Sequence, residues 1–271
     1  MIDRAAAFLL LLALPVLMAA YGARTWRRGA PRFARVERDK GSVLLGLRTM
    51  HMGYWALQPV AAACVRAGLS AAAVTWGSLF FGALAAVSVA CGHFGIGALL
   101  ACAAALGDSL DGMVARRTGT ASEAGELLDA SADRYSESFV LSGIAFAFRE
   151  RPPLLLLTLA AIAGSWMVSY ATAKAEALRV EAPRGTMRRP ERALCLVAGA
   201  ALTAWLAPYL ARLDPSGAFE CAPLVLALVT VAGMANATAL HRLSAMTRAL
   251  RDRGRATALG EDCEPAKEPA A

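Results

Sequence analysis

Long runs without a charged residue are the feature that most constrains how this chain folds. No Asp, Glu, Lys or Arg occurs between Ala67 and Gly107, and similar runs cover Leu154–Ala173, Ala193–Ala211 and Cys221–Leu240. A helix of about 20 apolar residues spans the hydrocarbon core of a bilayer. The interior of a soluble domain rarely contains so many apolar runs of this length. The sequence therefore predicts an all-α integral membrane protein.

Five transmembrane helices can be placed in these runs, and a sixth can be placed in a segment that is more polar. The turn residues of Cys91–Gly95 divide the longest run into two. We predict spans at Ala72–Ala90, Gly97–Arg117, Gly125–Phe148, Leu154–Ala173, Ala193–Ala211 and Cys221–Leu240. Before them, His51–Arg66 has the apolar face of an interfacial amphipathic helix. Ala5–Tyr21 predicts an extra N-terminal hydrophobic helix whose N terminus lies outside.

Basic residues are unevenly distributed along this chain of net charge +7. They are concentrated in residues 24–48, 174–192 and 242–255, while the alternate loops contain few. This alternation is the positive-inside pattern, so we place the three basic segments in the cytosol and the protein in a bacterial-type inner membrane. The pattern favours contact with anionic membrane lipids, and we expect no nucleic-acid partner.

Three regions follow from this organisation. Residues 1–50 form the N-terminal hydrophobic helix and a basic cytosolic linker, and residues 51–243 form the membrane domain. Residues 244–271 are rich in mixed charge and are predicted to be a disordered cytosolic tail.

Four aspartates carry the chemistry. Asp108 and Asp111 are three residues apart, and Asp129 and Asp133 are four apart, so each pair shares one face of a helix. Because a short connection joins the two helices, we expect them to lie side by side and antiparallel, with the four carboxylates converging. Converging carboxylates are stabilised by protonation or by cations. All-oxygen ligation suits Mg²⁺, Mn²⁺ or Ca²⁺, and the lack of nearby His or Cys ligands argues against zinc.

Small residues and one arginine accompany the aspartates. Gly112 and Ala115 leave a bare strip on the first helix, and Gly125 extends it on the second. Arg116 lies on the same face as Gly112 and can pair with a phosphate. Each residue alone is more often a packing residue or a topological anchor, but the combination predicts a ligand site.

The complete pattern resembles the signature of the CDP-alcohol phosphatidyltransferase family. It reads Asp108-x-x-Asp111-Gly112-x-x-Ala115-Arg116, eight residues, then Gly125-x-x-x-Asp129-x-x-x-Asp133. The resemblance covers about Tyr54 to Arg242. It implies six transmembrane helices in a homodimer, with the active site open to the cytosolic interface.

The resemblance also implies a role for each residue of the signature. Asp108, Asp111 and Asp129 would hold two Mg²⁺ or Mn²⁺ ions, and Asp133 would be the general base while also touching a metal. The CDP site would be formed by Gly112, Ala115, Arg116 and Gly125. The implied reaction transfers the phosphatidyl group of CDP-diacylglycerol to a small alcohol and releases CMP.

The acceptor is predicted from two further segments. Ser169–Glu176 and Arg188–Arg192 resemble regions of the phosphatidylinositol phosphate synthase branch that bind a phosphorylated acceptor, although Thr172 stands where that branch has a basic residue. Inositol phosphate and glycerol phosphate are therefore candidate acceptors. The candidate binding residues are Lys174, Arg189, Arg192 and Arg242. The alternative is that these residues serve membrane topology alone.

Two other classes of membrane protein use intramembrane carboxylates. A Mg²⁺-dependent prenyltransferase would have more spans and an Asn before its first aspartate, whereas Gly107 precedes Asp108 here. A transporter could use the aspartates as an ion pathway, but it would not require Gly112, Ala115 and Arg116 in register. Dependence on a cytidine nucleotide separates the first interpretation from both.

Overall fold

The computed structural model describes residues 1–38, 46–181, 183, 185–213, 217 and 219–261, and all regular structure in this part of the chain is helical. The helices in chain order are α1 (Ile2–Arg28), α2 (Ala34–Arg38), α3 (Gly46–Arg66), α4 (Ala71–Ala90), α5 (Phe94–Thr118), α6 (Glu123–Ala147), α7 (Pro152–Ala177), α8 (Arg189–Leu213) and α9 (Ala222–Glu261).

Six of the described helices are long and apolar enough to cross a membrane, namely α1, α4, α5, α7, α8 and the part of α9 up to Gly254. Helix α6 is as long as α5 but is less apolar, because it carries five acidic residues and one arginine. It nevertheless belongs to the bundle, because it packs against α4 and α7. The predicted all-α membrane bundle is confirmed. The N-terminal helix α1 is one of the six apolar helices, and the carboxylate helix α6 is a further member of the bundle.

Most of the helices are longer than the sequence predicted, and α1, α3 and α9 change the predicted organisation most. Helix α1 extends to Arg28 and α3 already begins at Gly46, whereas we expected Ala5–Tyr21 and His51–Arg66. Helix α9 continues to Glu261, where a disordered tail was expected from residue 244, so the structure corrects that boundary. No Gly or Pro interrupts residues 234–253. In addition, the Arg253 guanidinium donates to the last carbonyl groups around the end of α7. Residues 262–271 lie outside the described part of the chain.

Short polar caps fix the ends of the helices that meet at the signature. The Ser70 hydroxyl accepts a hydrogen bond of 3.1 Å from the Ala73 amide at the start of α4. The Ser122 hydroxyl likewise accepts from the Gly125 amide at 3.1 Å at the start of α6. Gly119 ends α5 with a φ of 69°, a left-handed conformation that glycine adopts without steric cost. Gly119 and the Ser122 cap limit the α5–α6 connection to a few residues.

Helix α4 is the common support of the two carboxylate helices. A side chain at Gly107 would overlap the Ser78 hydroxyl, and one at Gly82 would lie 2.7 Å from the Ser136 hydroxyl. At Gly143 it would overlap the backbone of Ala86. Small residues at such contacts let helix backbones approach closely in a membrane. As a result α5 and α6 both pack tightly on α4 and contact each other much less than either contacts α4.

The beginning of the N-terminal helix is built into the bundle at the end away from the signature. It packs along α5 and α8. The Asp3 carboxylate accepts a hydrogen bond of 2.8 Å from the Ile96 amide and so caps the first turn of α5. Gly95 leaves no room for a side chain there, because a Cβ would meet the Asp3 carbonyl oxygen. The rings of Phe8 and Trp205 stack with centroids 5.0 Å apart.

Candidate active site

Three of the four aspartates form a tight cluster where α4, α5 and α6 meet. Asp108, Asp111 and Asp129 each offer one carboxylate oxygen, and these oxygens all lie within 4.8 Å of one another. Asp133 lies one helical turn beyond Asp129 and lines the same small cavity. The two spacings therefore place the four side chains together, as predicted, through the support of α4.

A hydroxyl group from α4 orients the most buried of these carboxylates. The Thr75 side chain donates a hydrogen bond of 2.7 Å to Oδ2 of Asp111, whose side chain is buried. The Gly112 amide donates to Oδ1 of the same carboxylate at 2.6 Å. Outer partners of this kind fix the orientation of metal-binding carboxylates. Sequence reasoning missed this role of Thr75, and its only signal was a hydroxyl one turn into a charge-free helix.

Arg189 is the internal counter-ion of the cluster. One of its terminal nitrogens lies 2.6 Å from Oδ2 of Asp108 and 2.6 Å from Oδ1 of Asp133. Arg134 is a more distant partner of Asp133, at 3.9 Å. We predicted Arg189 as an acceptor-binding residue, and that role stays a prediction; its ion pairs with the carboxylates were not predicted.

The donor set fits a hard divalent cation. All of its ligand atoms are carboxylate oxygens, which Mg²⁺ and Mn²⁺ prefer. Oδ1 of Asp129 is buried and has no hydrogen-bond partner among the described residues. A cavity of about 10 Å³ lies between the carboxylates, Thr75 and Ser78. Clustered anions with an unsatisfied buried oxygen are stabilised by a cation at this position.

A larger pocket of about 400 Å³ adjoins the cluster. Its charged lining residues are Arg35, Arg116, Arg134, Arg188, Arg189, Arg192, Arg242, Asp108, Asp129, Asp133, Glu137 and Glu191. Arginine is the side chain best suited to bidentate recognition of phosphate. Together, the cluster and the pocket can hold a cation beside several phosphate groups.

Two of the four residues predicted for the CDP site line this pocket. Gly112 and Arg116 do so, and a side chain at Gly112 would lie only 3.0 Å from the Arg116 guanidinium. Glycine here therefore lets Arg116 fold back along α5. Ala115 is half-buried outside the lining, and Gly125 lies in the first turn of α6, close to the Ser122 hydroxyl that caps it. The CDP-binding role of all four residues stays a prediction.

Arg192 is held by a buried ion pair. Its guanidinium donates to both carboxylate oxygens of Glu137, at 2.5 and 2.8 Å, and to the Met187 carbonyl oxygen at 3.0 Å. Only 1% of Arg192 is exposed. Glu137 lies one turn beyond Asp133, and its part in the site was missed because its partner is 55 residues away in the sequence. The pair connects α6 to the start of α8.

Arg242 presents a different environment. It is 8% exposed, and one terminal nitrogen donates to the Thr172 hydroxyl at 2.7 Å and contacts the Val168 carbonyl oxygen at 3.4 Å. Its Nε is buried without a hydrogen-bond partner among the described residues. Arg188, which we had not singled out, lines the same pocket, whereas Lys174 is exposed and does not.

An apolar helical bundle with a carboxylate cluster and an arginine-lined pocket defines a membrane enzyme that acts on phosphate-containing substrates. The family model for CDP-alcohol phosphatidyltransferase matches residues 68–241, and this chain belongs to that family. The predicted family and its transferase class are thereby confirmed. Membership in this family decides against the prenyltransferase and the transporter.

Several relatives are named phosphatidylinositol phosphate synthase. The protein of Cutibacterium acnes is 32% identical over 203 residues, which cover 72% of this chain and 95% of that protein. The protein of Mycobacterium bovis is 39% identical over 100 residues, covering 35% of this chain and 46% of that protein. The chain thus matches less than half the length of this mycobacterial relative.

Solved structures show the same fold. The Mycobacterium tuberculosis phosphatidylinositol phosphate synthase with CDP-DAG bound superposes with a TM-score of 0.60 at 28% identity, covering 69% of this chain and 90% of that one. The structure of the same enzyme in complex with manganese and citrate also has a TM-score of 0.60, with 86% of that chain covered.

Proposed function

We propose that this protein transfers the phosphatidyl group of CDP-diacylglycerol to a phosphorylated alcohol and releases CMP. The observation that carries the proposal is Arg242, a buried guanidinium whose Nε is unpaired among the described residues and which lines the pocket beside the carboxylate cluster. A buried cation without a counter-ion is costly unless a ligand neutralises it. A phosphate on the acceptor is the group that this position fits.

The names of the relatives support a particular acceptor. Phosphatidylinositol phosphate synthases are named for a product whose acceptor is an inositol phosphate, so inositol phosphate is the first candidate and glycerol phosphate the second. The solved structure with CDP-DAG bound supports CDP-diacylglycerol as the lipid donor. Arg188 lies with Arg242 in the pocket lining and is the second candidate for the acceptor phosphate.

The divalent cation would be held by Asp108, Asp111 and Asp129, with Asp133 as a neighbouring carboxylate. The family resemblance implies two ions of Mg²⁺ or Mn²⁺. When bound, they would stabilise the negative charge on the phosphoryl oxygens. Thr75 and the Gly112 amide keep the Asp111 carboxylate in a fixed orientation for this purpose. The manganese complex of the relative supports a metal of this kind.

Asp133 is the residue that we assign to remove the acceptor proton. The hydroxyl oxygen forms a bond to the β-phosphorus, the bond from that phosphorus to CMP breaks, and the hydroxyl proton passes to the Asp133 carboxylate. Oδ1 of Asp133 is paired with Arg189 at 2.6 Å, whereas Oδ2 lies 3.9 Å from Arg134 and is the less engaged oxygen. We therefore assign Oδ2 as the oxygen that accepts the hydroxyl proton.

Membrane orientation and assembly belong to the same proposal. The basic ends of the helices lie at the carboxylate end of the bundle, for example Arg117 on α5 and Lys174 on α7. Positive-inside bias then turns the active site toward the cytosol, in an inner membrane of bacterial type. The family resemblance adds a homodimer. In a variant whose six native cysteines are replaced, labelling of single cysteines introduced at Ser42 and Thr186 from outside intact cells should fail. Light scattering in detergent should give a dimer.

An acceptor panel tests the proposed reaction. Purified protein receives CDP-diacylglycerol and, in parallel, inositol phosphate, glycerol phosphate, inositol or glycerol, with CMP release and lipid product measured together. We expect turnover with a phosphorylated alcohol, loss of turnover after chelation, and recovery with Mg²⁺ or Mn²⁺. Equal turnover of the phosphorylated and unphosphorylated alcohols would contradict the acceptor assignment. Full activity in metal-free buffer would contradict the metal site.

A further inference from the structure

A short helix before the matched family domain is fastened to the interfacial helix α3. The backbone amide of Phe33, just before α2, donates a hydrogen bond of 3.3 Å to Nδ1 of His51 on α3. The Phe33 ring packs against His51 and Tyr54, with ring centroids 5.9 and 5.8 Å apart. Val36 of α2 is completely buried. These contacts fix the position of α2 although it has only one turn and a half.

The same extension contacts α3 at a second point. Tyr21 near the end of α1 is 3% exposed, and its ring lies 5.6 Å from that of Trp55. The Arg24 guanidinium lies over Trp55, 6.0 Å from the ring centroid. On its other side α3 is joined to α5 through a hydrogen bond from Arg117 to Gln58. The extension is thus connected through α3 to the helix that carries the signature.

One cation of this extension reaches the substrate pocket. Arg35 of α2 lines it, together with Met50 and Tyr54 of α3 and with Gly112 and Arg116 of α5. The family model matches residues 68–241, so Arg35 comes from outside the matched domain. This part of the pocket wall is consequently a property of this chain's own N-terminal region.

The chemistry of the pocket indicates what Arg35 recognises. Both substrates of the proposed reaction bring phosphate into this space, as the diphosphate of the CDP-lipid or the phosphate of the acceptor. An arginine held at the rim of such a pocket can form charge-assisted hydrogen bonds to phosphate oxygens. Because α2 packs on α3, and α3 packs on α5, the diphosphate predicted to bind at Gly112 and Arg116 is the first candidate for this phosphate.

We propose that Arg35 is a phosphate-binding residue supplied by the N-terminal extension and that docking of α2 on His51 positions it. The proposal rests on the proposed function for the identity of the two phosphate sources. In this assignment Arg35 binds phosphate in the same pocket as the signature residues of α5. The N-terminal extension is then part of the substrate site as well as a membrane anchor.

The test compares Arg35→Ala with Arg32→Ala in the full-length protein. Arg32 lies three residues earlier, is exposed, and is absent from the pocket lining, so it is the matched control. Binding of CDP and of inorganic phosphate is measured by calorimetry in detergent with Mn²⁺ present, and the KM for each substrate is measured beside it. We expect Arg35→Ala to weaken one of the two probes about tenfold, with Arg35→Lys restoring part of the affinity and Arg32→Ala changing neither.

The two arms identify the source of the phosphate. Weaker CDP binding with a higher KM for CDP-lipid assigns Arg35 to the diphosphate, and weaker inorganic phosphate binding with a higher acceptor KM assigns it to the acceptor. His51→Ala should reproduce the same change in part, because it removes the acceptor for the Phe33 amide. Unchanged binding of both probes in Arg35→Ala, or an equal loss in Arg32→Ala, overturns the proposal. The calorimetry does not require turnover, so a failure of the proposed acceptor chemistry remains distinguishable from a failure of Arg35.

Discussion

The pocket has two sides that differ in how their charges are arranged. On the side of α5 and α6, Asp108, Asp111 and Asp129 converge, and Oδ1 of Asp129 is left without a described hydrogen-bond partner. On the side of α8 and α9, Arg192 is fully engaged by Glu137, while Arg242 keeps an Nε that is unpaired among the described residues. The acidic side thus acts as one cluster, whereas the arginines perform separate tasks.

This difference shows what determines the role of a charged residue in such a bundle. The aspartates have similar surroundings because their spacing on two neighbouring helices makes them all line one cavity. The arginines come from a loop, a helix start and a distant helix, so each role depends on the partner that the fold provides. Arg192 meets a carboxylate and stabilises the fold, while Arg242 meets a hydroxyl and a carbonyl oxygen and keeps capacity for a ligand.

The largest effect is expected from separating Asp133 from the rest of the acidic side. Asp133→Asn keeps the size of the side chain but removes its basicity, so kcat should fall by roughly 10²–10⁴-fold while CDP-lipid binding is largely kept. Asp108→Asn should weaken Mn²⁺ binding as well, because a neutral amide ligates a hard cation less strongly. Turnover and Mn²⁺ binding are measured for both variants. Substantial turnover of Asp133→Asn would remove its role as base, and an equal loss of metal binding would make it chiefly a ligand.

A loss of stability should distinguish Arg192 from the other arginines. Arg192→Met leaves Glu137 buried without its partner, which lowers the free energy of unfolding by about 3–5 kcal/mol. The exposed pair Arg149–Glu150 is the control, because Arg149→Met should cost at most about 1 kcal/mol. Denaturation in mixed micelles measures both, and adding Glu137→Gln to Arg192→Met should recover part of the loss. A normal unfolding free energy with a raised acceptor KM would instead assign Arg192 to the ligand.

A smaller and selective effect is expected at Arg242. Arg242→Gln removes the cation but keeps a polar group near Thr172, so the acceptor KM should rise roughly tenfold to hundredfold with little change in the KM for CDP-lipid. Arg248→Gln changes an exposed arginine on the same helix and serves as the control. Steady-state kinetics with each substrate varied in turn gives both values. An unchanged acceptor KM would mean that Arg242, like Arg192, has a structural role.

Much of the fold could be predicted because it follows from local composition. Charge-free runs located the apolar helices, and the helical spacing of Asp108, Asp111, Asp129 and Asp133 located the acidic cluster. The full length of α9 could not be predicted, because mixed charge after residue 243 is as typical of a tail as of a helix with an exposed face.

The remaining parts of the site depend on contacts between distant residues. Thr75 and Asp111 are 36 residues apart, and Glu137 and Arg192 are 55 apart. A single sequence contains no periodicity that pairs such positions. For the same reason the ion pairs of Arg189 with Asp108 and Asp133 could not be predicted.

The packing of the first helix has a consequence for biosynthesis. Helix α1 leaves the ribosome before the helices that it packs against. Ile96, whose amide Asp3 caps, is 93 residues downstream, and Trp205 follows Phe8 by 197 residues. At about 5–20 residues per second, translation from Phe8 to Trp205 takes roughly 10–40 s. During this interval α1 must stay in the bilayer without its contact to α8. Its long apolar sequence is therefore needed for its own insertion, and closing the α5–α8 face is among the last steps of assembly.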